Sequence, residues 1–132
     1  MKMGLDDVVF TGKVPHEDIA DYHNTIDIAV YVSLFESFGV SVLESSACEK
    51  PVIVSNIGGL AEIIENNKTG LIVESRNIQQ TANAIERLVL DKALGETLGR
   101  NGRKNVIEKY NWENNLEQVI TIYNEVLSER KM

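Results

Sequence analysis

Five consecutive apolar residues, Ile28-Ala29-Val30-Tyr31-Val32, stand between Asp27 and Ser33. A run this short and this continuous suits a strand covered on both faces, as in a parallel sheet with helices on either side. Pro51-Val52-Ile53-Val54-Ser55 is a second such run, with Pro51 tolerable at its first position. Leu71-Ile72-Val73 follows the turn Asn66-Asn67-Lys68-Thr69-Gly70 and makes another, and Val8-Val9-Phe10, ending at Gly12, reads as the first strand. Helical spacing fills the intervals. Pro15 opens a helix to about Asn24, with His16, Glu17 and Asp18 in its electropositive first turn. Val40, Leu43 and Ala47 recur at helical spacing, and Gly58-Gly59 precedes a short helix from Leu60 to about Glu65. The alternation predicts an α/β fold: a parallel Rossmann-like sheet of about four strands with flanking helices and right-handed crossovers.

The remainder predicts a helical C-terminal third. Ile78, Ala82, Ile85, Leu88 and Val89 form one apolar stripe, and Leu94 with Leu98 begins another. Trp112, Leu116, Val119, Ile120, Tyr123 and Val126 give the last helix the strongest periodicity in the chain. No repeat, low-complexity tract or linker divides residues 1–132, a length and a 43% hydrophobic, 25% charged composition that suit one globular domain.

In open parallel sheets, ligands bind beyond the carboxyl ends of the strands. The loop Ser33 to Phe38 follows the Ile28–Val32 strand directly and therefore lies on that side. It carries Glu36-Ser37-Phe38-Gly39-Val40-Ser41-Val42-Leu43-Glu44, two carboxylates flanking an aromatic-glycine turn and a helix start. Backbone N–H groups near Gly39 and Val40 have no helical partner, and with the helix dipole they favour a phosphate. Glu44, further along the same helix, offers a carboxylate to two neighbouring hydroxyls. An anion between two sugar-binding acids matches a nucleotide-sugar.

Other chemistries are poorly supported. A net charge of −7 argues against a nucleic-acid partner. No Gly-x-Gly-x-x-Gly or P-loop motif occurs. Ser33, Ser37, Ser41, Ser45 and Ser46 cluster without a Gly-x-Ser-x-Gly elbow, so no hydrolase is indicated. His16 and His23 have no ligand set around them and are expected to face solvent, so no metal site is expected. Gly58-Gly59 is read as a tight connection in preference to a second anion site. Cys48, the single cysteine, reads as a small buried hydrophobe in a reducing compartment. Residues 1–7 contain no signal-peptide apolar run and no segment reaches membrane-span length, so the cytoplasm is expected.

The Glu36–Glu44 pattern resembles the Glu-x7-Glu signature of retaining glycosyltransferases with the GT-B fold, family 4 in particular. The resemblance continues along nearly the whole chain in the family's order. Val9-Phe10-Thr11-Gly12-Lys13-Val14-Pro15 resembles the strand and loop approaching the nucleotide base. Asp27 to Ser33 resembles the strand leading into the donor site, with Val32-Ser33 where the family usually has Pro-Ser. Pro51 to Ser55, Gly58 to Ile64, Gly70 to Val73 and Tyr110-Asn111-Trp112 are similar to the segments that follow.

The resemblance implies roles. Glu36 holds hydroxyls of the transferred sugar near the reacting carbon; Ser37, Phe38, Gly39 and Val40 line the sugar and phosphate site through backbone N–H groups. Glu44 binds the ribose hydroxyls, and Lys13 and Val14 lie beside the base. The donor would be a UDP-, GDP- or ADP-sugar, the acceptor a glycan or glycolipid, with no metal or other cofactor. Residues 1–132 correspond to part of the C-terminal, nucleotide-sugar-binding domain. The acceptor domain with its histidine, and the first two donor-domain strands with the Arg and Lys that grip the diphosphate, fall outside the match. The fragment alone is therefore expected to bind weakly and to be inactive. The missing strands leave an edge, and the last helix a stripe, that a homodimer could cover. An intact enzyme acting on a lipid would sit at the inner membrane face. The alternatives are a non-catalytic α/β interaction module and a GT-B nucleotide-sugar epimerase fragment. A receiver-like domain is disfavoured because Asp27 precedes its strand and no strand ends in Asp.

Overall fold

The computed structural model describes residues 4–129. Three parallel strands, β1 (Ala29–Tyr31), β2 (Val52–Ser55) and β3 (Leu71–Val73), form one sheet in the order β1-β2-β3. Ala29 pairs with Val52 and Tyr31 with Val54; Ile53 pairs with Leu71 and Ser55 with Val73. A single 3-10 turn at His16–Asp18 leads into α1 (Ile19–Thr25), and α2 (Val40–Ala47) and α3 (Gly58–Ile63) follow β1 and β2. Three longer helices complete the chain: α4 (Ile78–Leu90), α5 (Lys92–Lys109) and α6 (Trp112–Glu129).

The central strand explains the layering. Val52, Ile53 and Val54 have no exposed surface, and their side chains alternate between two cores. Val52 and Val54 pack with Ala29, Val42, Leu60, Ile63 and Ile64 on one face. Ile53 packs with Leu71, Val73, Ala84, Leu88 and Leu98 on the other. Burying each of these larger side chains contributes about 1.5–3 kcal/mol. α5 also ties the layers through polar contacts: Asn105 Nδ2 donates to the Ile63 carbonyl at 3.2 Å, and Arg103 donates to the Ala47 carbonyl.

The α/β parallel fold matches the expectation, with three strands in place of four. Val8-Val9-Phe10 forms no strand, and Phe10 is 94% exposed. An apolar triplet becomes a strand only beside a hydrogen-bonding neighbour, and none among the described residues lies along it. α3 starts two residues earlier than expected because both glycines enter its first turn. The buried face of α4 is displaced from the stripe expected: of Ile78, Ala82, Ile85, Leu88 and Val89 only Leu88 is buried, and Ala84 joins it in the core beside Leu94 and Leu98 of α5. Every described residue of α6 is exposed, so its apolar stripe has no partner within the described chain.

The two sheet edges differ. On β3, the outward N–H of Ile72 donates to Asn66 Oδ1 at 2.9 Å, and that of Glu74 to Gln80 Oε1 at 2.7 Å. Side chains thus close that edge. On β1, Ala29 and Tyr31 face β2, which turns the N–H groups of Val30 and Val32 outward with no acceptor among the described residues. An apolar cleft of about 430 Å³ lined by Val32, Leu34, Ile78, Thr81, Ala82 and Ile85 adjoins that open edge.

Candidate functional site

The Ser33–Phe38 loop leaves the carboxyl end of β1 and is held against the end of β2 by Ser55 Oγ, which donates to the Ser33 carbonyl at 2.8 Å. Gly39 then turns the chain into α2 with φ 99° and ψ 51°, a left-handed conformation that side chains rarely adopt. A Cβ at Gly39 would also lie 2.5 Å from Leu60 Cδ2, so Leu60 would have to shift to admit one. The Gly58-Gly59 pair has the structural role expected of it, through a neighbour the sequence did not reveal. A Cβ on Gly59 would stand 2.8 Å from Phe38 Cα, and one on Gly58 would meet the Glu36 carbonyl. These two glycines let the start of α3 press directly onto the Glu36–Phe38 loop.

Glu36 is half-buried and folds back on its own loop. Its Oε1 accepts the Ser37 N–H at 3.0 Å and the Phe38 N–H at 3.4 Å. The N–H groups of Gly39, Val40 and Ser41 have no intramolecular acceptor among the described residues, and α2 has no side-chain cap. A patch of free amides at a helix N-terminus thus lies beside two more amides occupied by a carboxylate. Phe38 makes an edge contact with Tyr110, ring centroids 6.2 Å apart at 65°, which links the loop to the junction of α5 and α6.

Glu44 is on the second turn of α2, half-buried, with Oε1 4.0 Å from Nδ1 of His16. Lys13 is exposed and Val14 half-buried on the segment that leads into the His16 turn. His16, two residues after Val14, is the group that this segment brings next to Glu44.

Of the two histidines expected to face solvent, His16 does so and borders Glu44, whereas His23 is half-buried with its Nδ1 3.0 Å from Ser45 Oγ. Ser45 in turn lies 2.5 Å from the Tyr31 hydroxyl. Burial pushes the Tyr31 phenol up from its ordinary range, assisted by the nearby Glu44 charge, while its bond to Ser45 acts in the opposite direction. Among the described residues no group of His, Cys, Asp or Glu is arranged to hold a metal ion.

The three-stranded parallel sheet with its flanking helices is an α/β domain of the GT-B C-terminal type. The sequence profile described as "Glycosyl transferases group 1" matches residues 2–105, and the chain belongs to that family. CapM of Staphylococcus aureus, a capsular polysaccharide biosynthesis glycosyltransferase, is 36% identical over 112 residues, covering 85% of this chain and 30% of that protein. Sucrose-phosphate synthase from Thermosynechococcus elongatus superimposes with a TM-score of 0.88 at 37% identity, over 94% of this chain and 31% of that one. A Staphylococcus aureus TarM mutant in complex with fondaparinux, α-GlcNAc-glycerol and UDP superimposes with a TM-score of 0.76 at 31% identity, over 81% of this chain and 22% of that one. The chain thus spans under a third of the length of these proteins.

Proposed function

We propose that this chain is the donor-binding part of a longer retaining hexosyltransferase of the family 4 type, and that it holds a UDP-, GDP- or ADP-sugar between Glu36 and Glu44. The observation that carries the reading is the free amides of Gly39, Val40 and Ser41 at the start of α2, between a carboxylate on the preceding loop and one on its second turn. A diphosphate accepts those N–H groups and gains from the helix dipole. Glu44 accepts the ribose hydroxyls, with the Lys13–Val14 segment beside the base. Glu36 leaves the Ser37 and Phe38 amides to hold sugar hydroxyls, which frees those two N–H groups for the donor. Catalysis then consists of positioning the donor and stabilising the departing diphosphate, with no metal required. The UDP complex of TarM, 31% identical, supports a nucleotide ligand.

A glycan or glycolipid acceptor would be held by a part of the protein outside these residues. Among the described residues no helix is long and apolar enough to cross a membrane. The proposed setting is the cytoplasm, with the intact enzyme peripheral to the inner membrane face when its acceptor is a lipid. The described residues taken alone would be inactive. For residues 1–132 alone, the proposed homodimer uses the open β1 edge rather than α6. Val30, Tyr31 and Val32 carry no charge there, whereas α6 bears Glu113, Glu117, Glu125 and Glu129 without a Lys or Arg, and self-pairing would oppose like charges.

An amide-NMR titration with UDP, GDP and ADP tests the reading, with Glu44→Ala as the control. Base-selective shifts at Lys13–Val14 and Phe38–Glu44, lost in the mutant, are expected even at millimolar affinity, about 4 kcal/mol. Shifts spread over the surface, or none at these residues in the full-length protein, would favour the non-catalytic interaction module. Interconversion of a nucleotide-sugar without transfer would favour an epimerase.

A further inference from the structure

Three polar side chains from three different elements meet beneath α2. His23 comes from α1, Tyr31 from β1, and Ser45, which has no exposed surface, from α2 itself. Tyr31 Oη lies 3.0 Å from the Ser41 carbonyl oxygen and 2.5 Å from Ser45 Oγ; Ser45 Oγ lies 3.0 Å from His23 Nδ1.

The inventory of protons gives this chain one direction. A carbonyl oxygen only accepts, so the single phenolic proton of Tyr31 points at Ser41. The short contact between Tyr31 and Ser45 still needs a proton, which the Ser45 hydroxyl alone can supply. Ser45 has then spent its only proton, and its oxygen can meet His23 only as an acceptor. The raised pKa of Tyr31 agrees with a phenol that keeps its proton. The reverse order, Tyr31 to Ser45 to His23, would leave the 3.0 Å approach to the Ser41 carbonyl with no hydrogen in it.

We infer that His23 carries its proton on Nδ1 and is a positioning residue, heading a one-way hydrogen-bond chain through Ser45 and Tyr31 to the Ser41 carbonyl that sets α2 against β1. Its value for function rests on the donor-site reading given above. Ser41 belongs to the first turn of α2, beside the free amides, and Ser45 directly follows Glu44. Arg103 holds the C-terminal end of α2 through the Ala47 carbonyl, and with no side-chain cap the N-terminal half takes its directional contacts from this chain. Apolar contacts from Val42 and Leu43 hold α2 down but tolerate small rotations, whereas hydrogen bonds do not. Rotation of α2 would displace the Glu44 carboxylate from a ribose.

The proton order is read directly from long-range proton–nitrogen NMR of the histidine rings at about pH 8, where a free imidazole is neutral. His23 is expected to show a protonated Nδ1 and a bare Nε2, opposite to the form that predominates in free histidine. A bare Nδ1 would overturn the inference.

The positioning role is tested by nucleoside diphosphate titration of His23→Asn and His23→Leu. The Asn amide nitrogen stands where Nδ1 stood and can donate to Ser45; Leu fills space without donating. Binding is expected near wild type for Asn and roughly tenfold weaker for Leu, the scale of one lost hydrogen bond. Equal binding by both variants, with both folded, would overturn the role. Absence of nucleotide binding in the wild type would instead overturn the donor-site reading, and the imidazole spectrum would still decide the proton order.

Discussion

Glu36 Oε1 accepts the backbone N–H of Ser37 at 3.0 Å, so the carboxylate expected to hold a sugar occupies amides that an anionic ligand would also use. In the proposed site the carboxylate also lies next to the Gly39–Ser41 amides offered to a diphosphate, so its charge opposes that ligand. Glu36→Ala is therefore expected to bind bare UDP roughly threefold more tightly and UDP-glucose roughly tenfold more weakly, changes on the scale of one hydrogen bond to a charged group. Calorimetric titration with the two ligands checks it. A loss of equal size for both would show that Glu36 does not block the amides.

Gly59 packs on the Phe38 backbone with no room for a methyl group. Gly59→Ala is expected to cost about 1–3 kcal/mol as an overpacked contact. The urea midpoint should fall, and the Ser37 and Phe38 amide signals should shift even in the folded state. Unchanged loop signals would mean that α3 moves instead of the loop.

Ile53 has no exposed surface, whereas Ile78 is 85% exposed. Ile53→Ala is expected to destabilise by about 2–5 kcal/mol, and Ile78→Ala by less than about 0.5 kcal/mol. Urea denaturation of the two variants distinguishes the central core from the unpartnered stripe of α4.

Glu65 accepts hydrogen bonds from Lys68 at 2.6 Å and Lys109 at 3.2 Å, and these two ammonium groups hold its carboxyl below the usual glutamate range. The unfolded chain then binds the proton more readily than the folded one. The contribution to stability is present above the ordinary glutamate pKa of about 4.3 and is lost as pH falls through the lower folded value. Stability curves of wild type and Glu65→Gln should converge in acid and separate above that window. Parallel curves across the acid range would contradict the sign.

The open edge of β1 supports the proposed dimer. Val32→Lys is expected to lower self-association measured by light scattering, since an edge lysine opposes strand pairing. In a dimeric wild type the Val30 and Val32 amides should exchange slowly. Fast exchange at both positions, or a monomer at high concentration, would count against pairing there.

The parallel α/β plan was legible because its strands are apolar at consecutive positions, which only a sheet covered on both faces explains. Val52 to Val54 behave accordingly, each fully buried. Val8 to Phe10 carry the same local signal and form no strand, because a ladder needs a neighbour and neighbours are not encoded locally. The Glu36–Glu44 segment was legible as a loop and helix start from Gly39 and the helical spacing. The attachment of His16 and His23 to α2 was not, since each contact joins residues over 20 positions apart.

The sequence by itself determined most of the element types and the glycine-started helix, because these follow from short-range patterning, and its motifs in order carried the resemblance to the family. Only the tertiary structure decided where Glu36 directs its carboxylate, which glycines support the loop, which sheet edge is closed and which way the protons run from His23 to Ser41. Those features depend on distances of about 3 Å between segments remote in the chain, and hydrogen bonds discriminate at that scale where hydrophobic patterning does not.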